Sequence, residues 1–320
     1  MALEQLTKAT GKMKLINPDT GDPVLTDEGM PVLIAKRILS PSKAAKAILG
    51  TMDLRLSELD KNDLPKIWKY NGSIWKPDGE REIRNVVYPI LGDLAYDKGY
   101  REMLHNIRAR TDPVIFDQDP YLFPAQDGII DLRTGEIRQH APEDLFTFTY
   151  NAYCNHAHAD HVHFLWYLAS TFPDIRDCLT AIDIITAVGI RIPFEVFIFL
   201  LGGGENGKGI LEKLILFLYT MRRASATKIQ EVIKSNFASG SLLNKDVWIV
   251  TEVETIKDAM SIIKGVSSGE MLDSDVKYAL ERAQGIPHLL TIIDSNKPLD
   301  FNDNSWGRIR RTEKLDTPYE

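Results

Sequence analysis

The feature that most constrains this sequence is a glycine-rich stretch that separates an apolar run from a helical pattern. The run over residues 196–201 has the length and composition of a strand buried on both faces. After the glycines, apolar side chains recur at helical spacing at Leu211, Leu214, Ile215 and Leu218. This order predicts a phosphate-binding loop, because a Cβ would obstruct the approach of backbone N–H groups to phosphate oxygens.

The loop itself supplies the candidate phosphate ligands. The start of a helix adds partial positive charge, and Lys208 adds a full charge that we expect to contact only a ligand. Residues 202–208 fit the pattern G-x-x-x-x-G-K-[ST], but Gly209 replaces the Ser or Thr that helps to hold Mg²⁺. A glycine-rich turn with an exposed lysine remains the alternative. The candidate residues are Gly202, Gly203, Gly204, Glu205, Asn206, Gly207, Lys208 and Gly209.

Composition restricts the class of protein. The net charge of −7 excludes a global basic field, so any nucleic-acid binding requires a local basic surface. The chain has two cysteines, Cys154 and Cys178, and this small number does not suggest a disulfide framework. The N-terminus lacks an apolar signal core, and no apolar run is long enough to span a bilayer. We expect a cytoplasmic protein, in the host cytoplasm if it is viral, without membrane contact.

The pattern along the chain predicts three segments. Residues 1–60 form an N-terminal arm and a helix, and the turn-rich part over 1–35 is expected to be loosely held. Residues 61–190 form an α+β domain with hairpins and helices. Residues 191–320 form an α/β domain with a parallel sheet, and we place the boundary near residue 190.

Local patterns predict the elements of the first two segments. The periodicity indicates helices over 41–49, 80–95, 100–110, 164–171 and 175–189. Alternating aromatic residues over 68–75 predict a hairpin with Asn71-Gly72 as a two-residue turn. A second hairpin is predicted over 128–138, turning at Thr134-Gly135.

Two further strands after the loop end in polar residues. The strand over 247–254 ends in Glu252 and Glu254, and the strand over 289–296 ends in Asn296. Ligands of an open parallel sheet lie at the carboxyl ends of its strands, so these side chains should converge on the loop. We expect Glu252 to hold Mg²⁺, Glu254 to orient or deprotonate water, and Asn296 to contact the γ-phosphate. A solvated acidic strand end, and a turn residue before Lys297-Pro298, remain the alternatives.

This order of motifs resembles the superfamily 3 helicases, and more closely the poxvirus, phage and plasmid primase–helicase family. Residues 117–123 and 127–145 are similar to the domain that precedes the ATPase in that family. The resemblance covers about residues 60 to 315. It implies a P-loop AAA+-like ATPase fold with its C-terminal lid absent or truncated, ATP and Mg²⁺ as cofactors, and a hexameric ring on single-stranded or forked DNA. A separate primase or polymerase is an implied partner.

The resemblance also assigns roles to single residues. Lys208 matches the phosphate-binding lysine, Glu252 and Glu254 the Walker B acids, and Asn296 the sensor asparagine. Arg308 matches the arginine that reaches a neighbouring subunit, although Gly307 departs from the pattern. Arg310 in the same role and a solvated basic cluster with Arg311 and Lys314 remain the alternatives.

Lys277 is implied as a DNA contact by the same resemblance. Residues 269–278 stand where the family has its DNA-contacting pore hairpin, and the match consists of the opening Gly-Glu pair and this lysine.

One tract of potential zinc ligands lies outside these motifs. It comprises Cys154, His156, His158, His161 and His163. A structural zinc site usually draws ligand pairs from two separated segments, and only one segment is present here. We therefore expect an exposed connecting loop that binds no structural metal.

The sequence thus favours an ATP-dependent DNA helicase or translocase of a viral, phage or plasmid replicon. A nucleotide-binding assembly or scaffold protein with weak ATPase activity is the alternative that Gly209 keeps open. A small-molecule kinase is a third class, but such kinases usually begin with the loop, whereas here a long domain precedes it.

Overall fold

The computed structural model describes most of the 320 residues. The chain divides into two compact units, Met1–Gln118 with Ala141–Thr147, and Asp119–His140 with Phe148–Glu320. The segment boundaries near 60 and 190 stay predictions, because compactness alone does not define an independently folding domain. The described ranges are 2–57, 65–154, 161–172, 174–190, 195–203, 206–234, 242–251, 260–270, 272–275, 282–285, 289–296 and 312–316.

The first unit combines helices with an antiparallel strand pair and a four-stranded sheet of order β5-β4-β3-β6. Its elements in chain order are α1 (Leu3–Leu6), β1 (Thr7–Lys14), β2 (Leu33–Leu39), α2 (Pro41–Leu49), β3 (Leu54–Ser57), β4 (Ile67–Tyr70), β5 (Trp75–Lys76), α3 (Gly79–Leu91), α4 (Asp97–Arg108) and β6 (Pro113–Val114).

The core of the first unit explains its predicted helices. The apolar faces of α2, α3 and α4 meet around Ile48, Ile83 and Met103, each with no exposed surface. The helix predicted over 80–95 ends at Leu91, because Gly92 has a φ of 49° and starts a short 3-10 turn. The helix predicted over 100–110 begins earlier, at Asp97.

The sequence predicted a loosely held arm over residues 1–35, but the structure has a pair of β-strands there. These residues form β1 and the beginning of β2, and the two strands pair antiparallel from Thr7↔Leu39 to Lys14↔Leu33. Leu6 and Leu39 are buried in the core of the unit and anchor the base of the pair. The many turn residues of this stretch connect the two strands, so they indicate the turns of a ribbon rather than a loose arm.

The turn of the first hairpin is longer than the sequence predicted. Tyr70 pairs with Trp75, so four residues connect β4 to β5 instead of two. The Asn71 side-chain oxygen accepts hydrogen bonds from the N–H groups of Ser73 and Ile74, at 3.1 and 2.9 Å. This side-chain hydrogen bonding stabilises the longer loop in place of the two-residue Asn-Gly turn.

The second unit contains the parallel sheet. Its elements are β7 (Leu122–Pro124), β8 (Ile129–Asp131), β9 (Ile137–Arg138), α5 (Val162–Thr171), α6 (Ile175–Gly189), β10 (Phe197–Leu201), α7 (Lys208–Arg223), β11 (Ala224–Ser225), α8 (Ile229–Lys234), β12 (Val247–Val250), α9 (Met260–Ser267), β13 (Leu272–Asp275), β14 (Arg282–Gly285), β15 (Leu290–Ser295) and β16 (Thr312–Asp316).

Five strands of this unit form one sheet of order β11-β12-β15-β10-β16, in which all four pairings are parallel. The described burial of β10, β12 and β15 is nearly complete, as expected for strands covered on both faces. The hairpin predicted over 128–138 is confirmed as β8 and β9, and Gly135 takes a φ of 74° in its turn. The predicted mixed α/β architecture with a parallel sheet is therefore present.

A helix that spans a bilayer needs about 20 predominantly apolar residues. Within the described ranges, no helix is both long and apolar enough to cross a membrane.

Candidate phosphate-binding site

The glycine-rich loop connects an interior strand of the parallel sheet to helix α7. The sheet strand β10 lies between β15 and β16, and its last residue, Leu201, leads directly into Gly202. Helix α7 begins at Lys208 and has a kink at Thr220, where φ is 57°. Gly204 and Glu205 lie outside the described residues. The strand, loop and helix predicted from the sequence are thus found in the predicted order.

Gly207 is the glycine on which the conformation of the loop depends most clearly. It has a φ of 86°, a conformation that L side chains rarely adopt. A Cβ at this position would lie 2.5 Å from the Thr171 hydroxyl oxygen. The Tyr167 hydroxyl donates a hydrogen bond of 3.1 Å to the Gly207 carbonyl oxygen. Helix α5 therefore supports the loop from one side and leaves room only for glycine.

Lys208 is buried, with 4% of its surface exposed, which excludes the alternative of a turn with an exposed lysine. Its Nζ donates to the carbonyl oxygens of Gly202 and Gly203, the latter at 3.3 Å. It also donates to Asn296 Oδ1 at 3.0 Å and lies 3.4 Å from Asp294 Oδ1. The expectation that this lysine contacts only a ligand was wrong, because four protein oxygens surround its ammonium group.

The structure adds two acidic residues that the sequence analysis missed. Asp294 is the fifth residue of β15, two positions before Asn296, and pairs in register with Leu200. Glu212 lies one turn after Lys208 on the same face of α7 and is only 9% exposed. Burial and, to a smaller extent, the neighbouring Asp294 carboxylate raise the pKa of Glu212 to about 7, against the lowering effect of Lys208 and Lys213. A carboxyl group among the apolar residues of a helix face was the available sequence signal.

Of the groups predicted to converge at the strand ends, the structure brings Lys208 and Asn296 together. Strand β12 is described as far as Val250, so Glu252 and Glu254 lie outside the described residues. Arg308 lies outside them as well. The strands β13 and β14 pair antiparallel, and β13 lies within residues 269–278, where the family resemblance implied a hairpin. Lys277 itself lies outside the described residues. The roles of all these residues stay predictions.

The loop fits a phosphate ligand. Backbone amides at the start of a 16-residue helix favour an anion, and the buried ammonium group can exchange carbonyl oxygens for phosphate oxygens. Gly209 has space beside it, because a Cβ built there meets no atom of the described residues within 4 Å. Across the described part of the chain, no three His, Cys, Asp or Glu side chains are grouped to hold a metal ion.

These contacts predict opposite effects for two neighbouring glycines. We expect Gly207→Ala to cost about 1 to 3 kcal/mol of unfolding free energy, because it combines an unfavourable φ with a clash against Thr171. Gly209→Ala should be neutral or stabilise by up to about 1 kcal/mol, because it adds a helix former in open space. Chemical denaturation of both variants measures the difference, and equal stability would contradict this description of the loop.

The far end of α7 is fixed by a buried ion pair. The Arg223 guanidinium donates to both carboxylate oxygens of Asp246, at 2.8 and 2.5 Å, and the Tyr150 hydroxyl donates to the same carboxylate at 2.7 Å. The guanidinium also lies 4.3 Å from the centre of the Phe148 ring. This cluster connects the last residue of α7 to the residue before β12, beyond the kink that Thr220 makes in α7 with its φ of 57°.

The Cys/His tract is described only at its two ends. Cys154 is buried, and its N–H donates to Asp127 Oδ1 at 2.7 Å. Burial and the Asp127 carboxylate raise the pKa of its thiol to about 11, which disfavours the thiolate that zinc requires. His161 and His163 are exposed, whereas His156 and His158 lie outside the described residues. Absence of a structural metal stays a prediction.

Comparison with known proteins gives one family match and a set of similar structures. Residues 61–173, about a third of the chain, match the family model described as D5 N terminal like. The fold is similar to the A form apo structure of the NrS-1 C terminal region, residues 305–718, with a TM-score of 0.54 and 16% identity. That likeness covers 87% of this chain and 62% of the other.

Two further structures of the same region give similar values. A second A form apo structure has a TM-score of 0.55 at 15% identity, covering 87% of this chain and 61% of that one. An apo structure of residues 305–718 has a TM-score of 0.52 at 15% identity, covering 87% and 62%. At such identities the likeness shows a shared fold. No curated protein sequence matches the chain significantly.

Proposed function

We propose that this chain is an ATP-dependent DNA helicase or translocase that acts as a ring oligomer in viral, phage or plasmid DNA replication. The observation that carries this proposal is the contact between Lys208, at the start of α7, and Asn296, at the end of β15. This contact brings the candidate phosphate-binding lysine next to the candidate sensor residue at the carboxyl ends of two neighbouring parallel strands.

The family match supports the replication context. The D5 N terminal like model covers residues 61–173, the region that resembles the domain preceding the ATPase in primase–helicases. The fold likeness to the NrS-1 C terminal region extends over most of the chain. Because the chain spans 62% of that structure, the activity and partners of a whole protein are proposed here as expectations.

In this proposal the loop amides and Lys208 bind the phosphates of ATP, and Asn296 orients the γ-phosphate or the attacking water. Glu252 holds Mg²⁺, and Glu254 orients or deprotonates the water. Phosphoryl transfer needs positioning and charge stabilisation more than covalent chemistry from the protein, which suits this set of donors and carboxylates. When bound, Mg²⁺ would neutralise charge on the β- and γ-phosphates.

The proposed DNA contact is the hairpin of β13 and β14, whose connection contains Lys277. A lysine between two such strands can bind a backbone phosphate, which gives affinity without sequence preference. The chain carries a net charge of −7, so such a local contact is required for DNA binding.

The alternative is a nucleotide-binding scaffold protein with weak ATPase activity. Gly209 favours it, because no hydroxyl stands at the position that usually helps to hold Mg²⁺. Steady-state ATP hydrolysis with and without single-stranded DNA separates the two functions. We expect DNA to stimulate hydrolysis, together with a native mass of a ring. Nucleotide binding with slow turnover that DNA leaves unchanged would support the scaffold.

A mixing experiment tests the proposed arginine finger. Arg308→Ala and Lys208→Ala should each be nearly inactive alone, because each interface then lacks one essential cation. In mixed rings some interfaces recover an intact loop opposite an intact arginine, so part of the ATPase activity should return. If mixtures that exchange subunits by native mass regain no activity, Arg308 does not act on a neighbouring subunit.

A further inference from the structure

Glu212 is a buried carboxyl group that the proposed chemistry does not use. It is 9% exposed, and its Oε1 atom makes no hydrogen bond to any residue that the structure describes. A buried polar atom without a partner is costly, so proteins rarely retain one without a role. Glu212 follows Lys208 by four residues and therefore lies on the same face of α7.

The charged and titratable groups around Glu212 come from three elements. Lys208 and Lys213 lie on α7 itself, Asp294 lies on β15, and Tyr167 lies on α5. Tyr167 stays neutral, because burial raises the pKa of its hydroxyl to about 12. Asp294 raises the pKa of Glu212, and the two lysines lower it. Of the two lysines, Lys208 is buried and Lys213 is exposed, so Lys208 is the cation that compensates these carboxyl groups inside the protein.

A phosphate ligand would change this balance. Lys208 Nζ now lies 3.4 Å from Asp294 Oδ1 and donates to Asn296 and to two loop carbonyls. To contact a phosphate, the ammonium group must give up some of its contacts with these protein oxygens. Phosphates at the loop would also bring negative charge towards Glu212 and Asp294. Both changes disfavour two ionised carboxylates at this position.

We propose that Glu212 is a positioning residue for Lys208 and that, together with Asp294, it takes up a proton when Lys208 engages a phosphate ligand. This rests on the proposed function, because it requires nucleotide binding at the loop. The proton comes from solvent and forms one O–H bond on the carboxyl pair, while Lys208 keeps its charge throughout. Nucleotide affinity should therefore fall as the pH rises through the neutral range.

Linkage gives the size and sign of the effect. A carboxyl group that is more basic in the complex than in the free protein binds a proton on association, so the dissociation constant increases with pH. For a rise of about one pKa unit from a starting value near 7, affinity should weaken about 5- to 10-fold between pH 6 and 8.5. In Glu212→Gln this part of the dependence should be lost.

The test is calorimetric titration of ATP with Mg²⁺ into the full chain at pH 6, 7, 8 and 8.5, in two buffers of different ionisation enthalpy. The parent protein should take up a substantial fraction of one proton at pH 8, and Glu212→Gln should take up less. Ionisation of ATP itself is common to both titrations, so the difference isolates the protein. Glu231→Gln, which changes an exposed glutamate on α8, is the matched control and should behave like the parent.

The outcomes separate this inference from the function on which it rests. If the parent binds ATP with no proton uptake beyond that of Glu212→Gln, the inference is wrong and the nucleotide site stands. If the parent binds no nucleotide at any pH, the proposed function fails and the inference with it. Should Glu212→Gln not fold, proton uptake by the parent at pH 8 and 8.5 keeps the test valid, because the phosphates of ATP, with a pKa of about 6, are then ionised and contribute little.

Discussion

Replacing Lys208 with alanine is expected to reduce ATP hydrolysis by at least about 100-fold. The reason is the loss of a full positive charge at the start of α7, where phosphate charge would be stabilised in a buried site. The variant should remain folded, but it is expected to be less stable than the parent. The buried carboxyl groups of Asp294 and Glu212 lose their internal cation in it. Steady-state ATPase assays and circular dichroism measure the two effects.

Lys213→Ala is the matched control for this prediction. Lys213 lies on the same helix and is exposed, so its removal changes the net charge equally without altering the loop. We expect its hydrolysis rate to stay within about twofold of the parent, since isolated surface charges contribute little. A folded Lys208→Ala protein that hydrolyses ATP at the parent rate would show that the loop is not the catalytic site.

Asp246→Ala is expected to lower the free energy of unfolding by about 3 to 5 kcal/mol. Its side chain is fully buried and accepts hydrogen bonds from Arg223 and Tyr150, so alanine removes the carboxylate opposite a buried guanidinium. Denaturant titration gives the change. Asp183→Ala removes an exposed carboxylate on α6 and should change stability by less than about 0.5 kcal/mol. A loss below about 1 kcal/mol for Asp246→Ala would contradict the structural role of this ion pair.

The parallel sheet and its glycine loop were predictable because their sequence signals are local and strong. Five apolar residues of β10, a run of glycines and a helical pattern define a strand, a turn and a helix without reference to the rest of the chain. The helix over 175–189 was predicted to the residue from its periodicity, and in the structure Asp174 caps it by accepting a hydrogen bond from the Arg176 N–H.

The errors arose where distant contacts decide the outcome. The Asn71-Gly72 turn was assigned from residue preference, but the Tyr70–Trp75 pairing sets a longer loop, and Trp75 is also held by a hydrogen bond to Phe146. The ribbon of β1 and β2 depends on a pairing across a long connection that alternation alone does not reveal.

The acidic side of the candidate site was missed for a similar reason. Glu212 and Asp294 are 82 positions apart, and each looks like an ordinary polar residue beside an apolar run. Only the register of β10 with β15, which places Asp294 beside Leu200, brings the carboxylate of β15 to the lysine of α7. The rule that polar residues meet at the strand ends correctly predicted Asn296 as a neighbour of Lys208. The same rule gave no reason to include Asp294, two positions earlier.

The structure of the full chain bound to Mg²⁺ and a non-hydrolysable ATP analogue tests the central claim most directly. We expect the backbone N–H groups of residues 202–209 to donate hydrogen bonds to the phosphates, with Lys208 Nζ about 3 Å from a phosphate oxygen. Lys208 should then have left the Gly202 carbonyl oxygen that it contacts in the ligand-free protein. Analogue bound elsewhere, or Lys208 unmoved among the oxygens of Gly202, Asp294 and Asn296 with the loop empty, would contradict it.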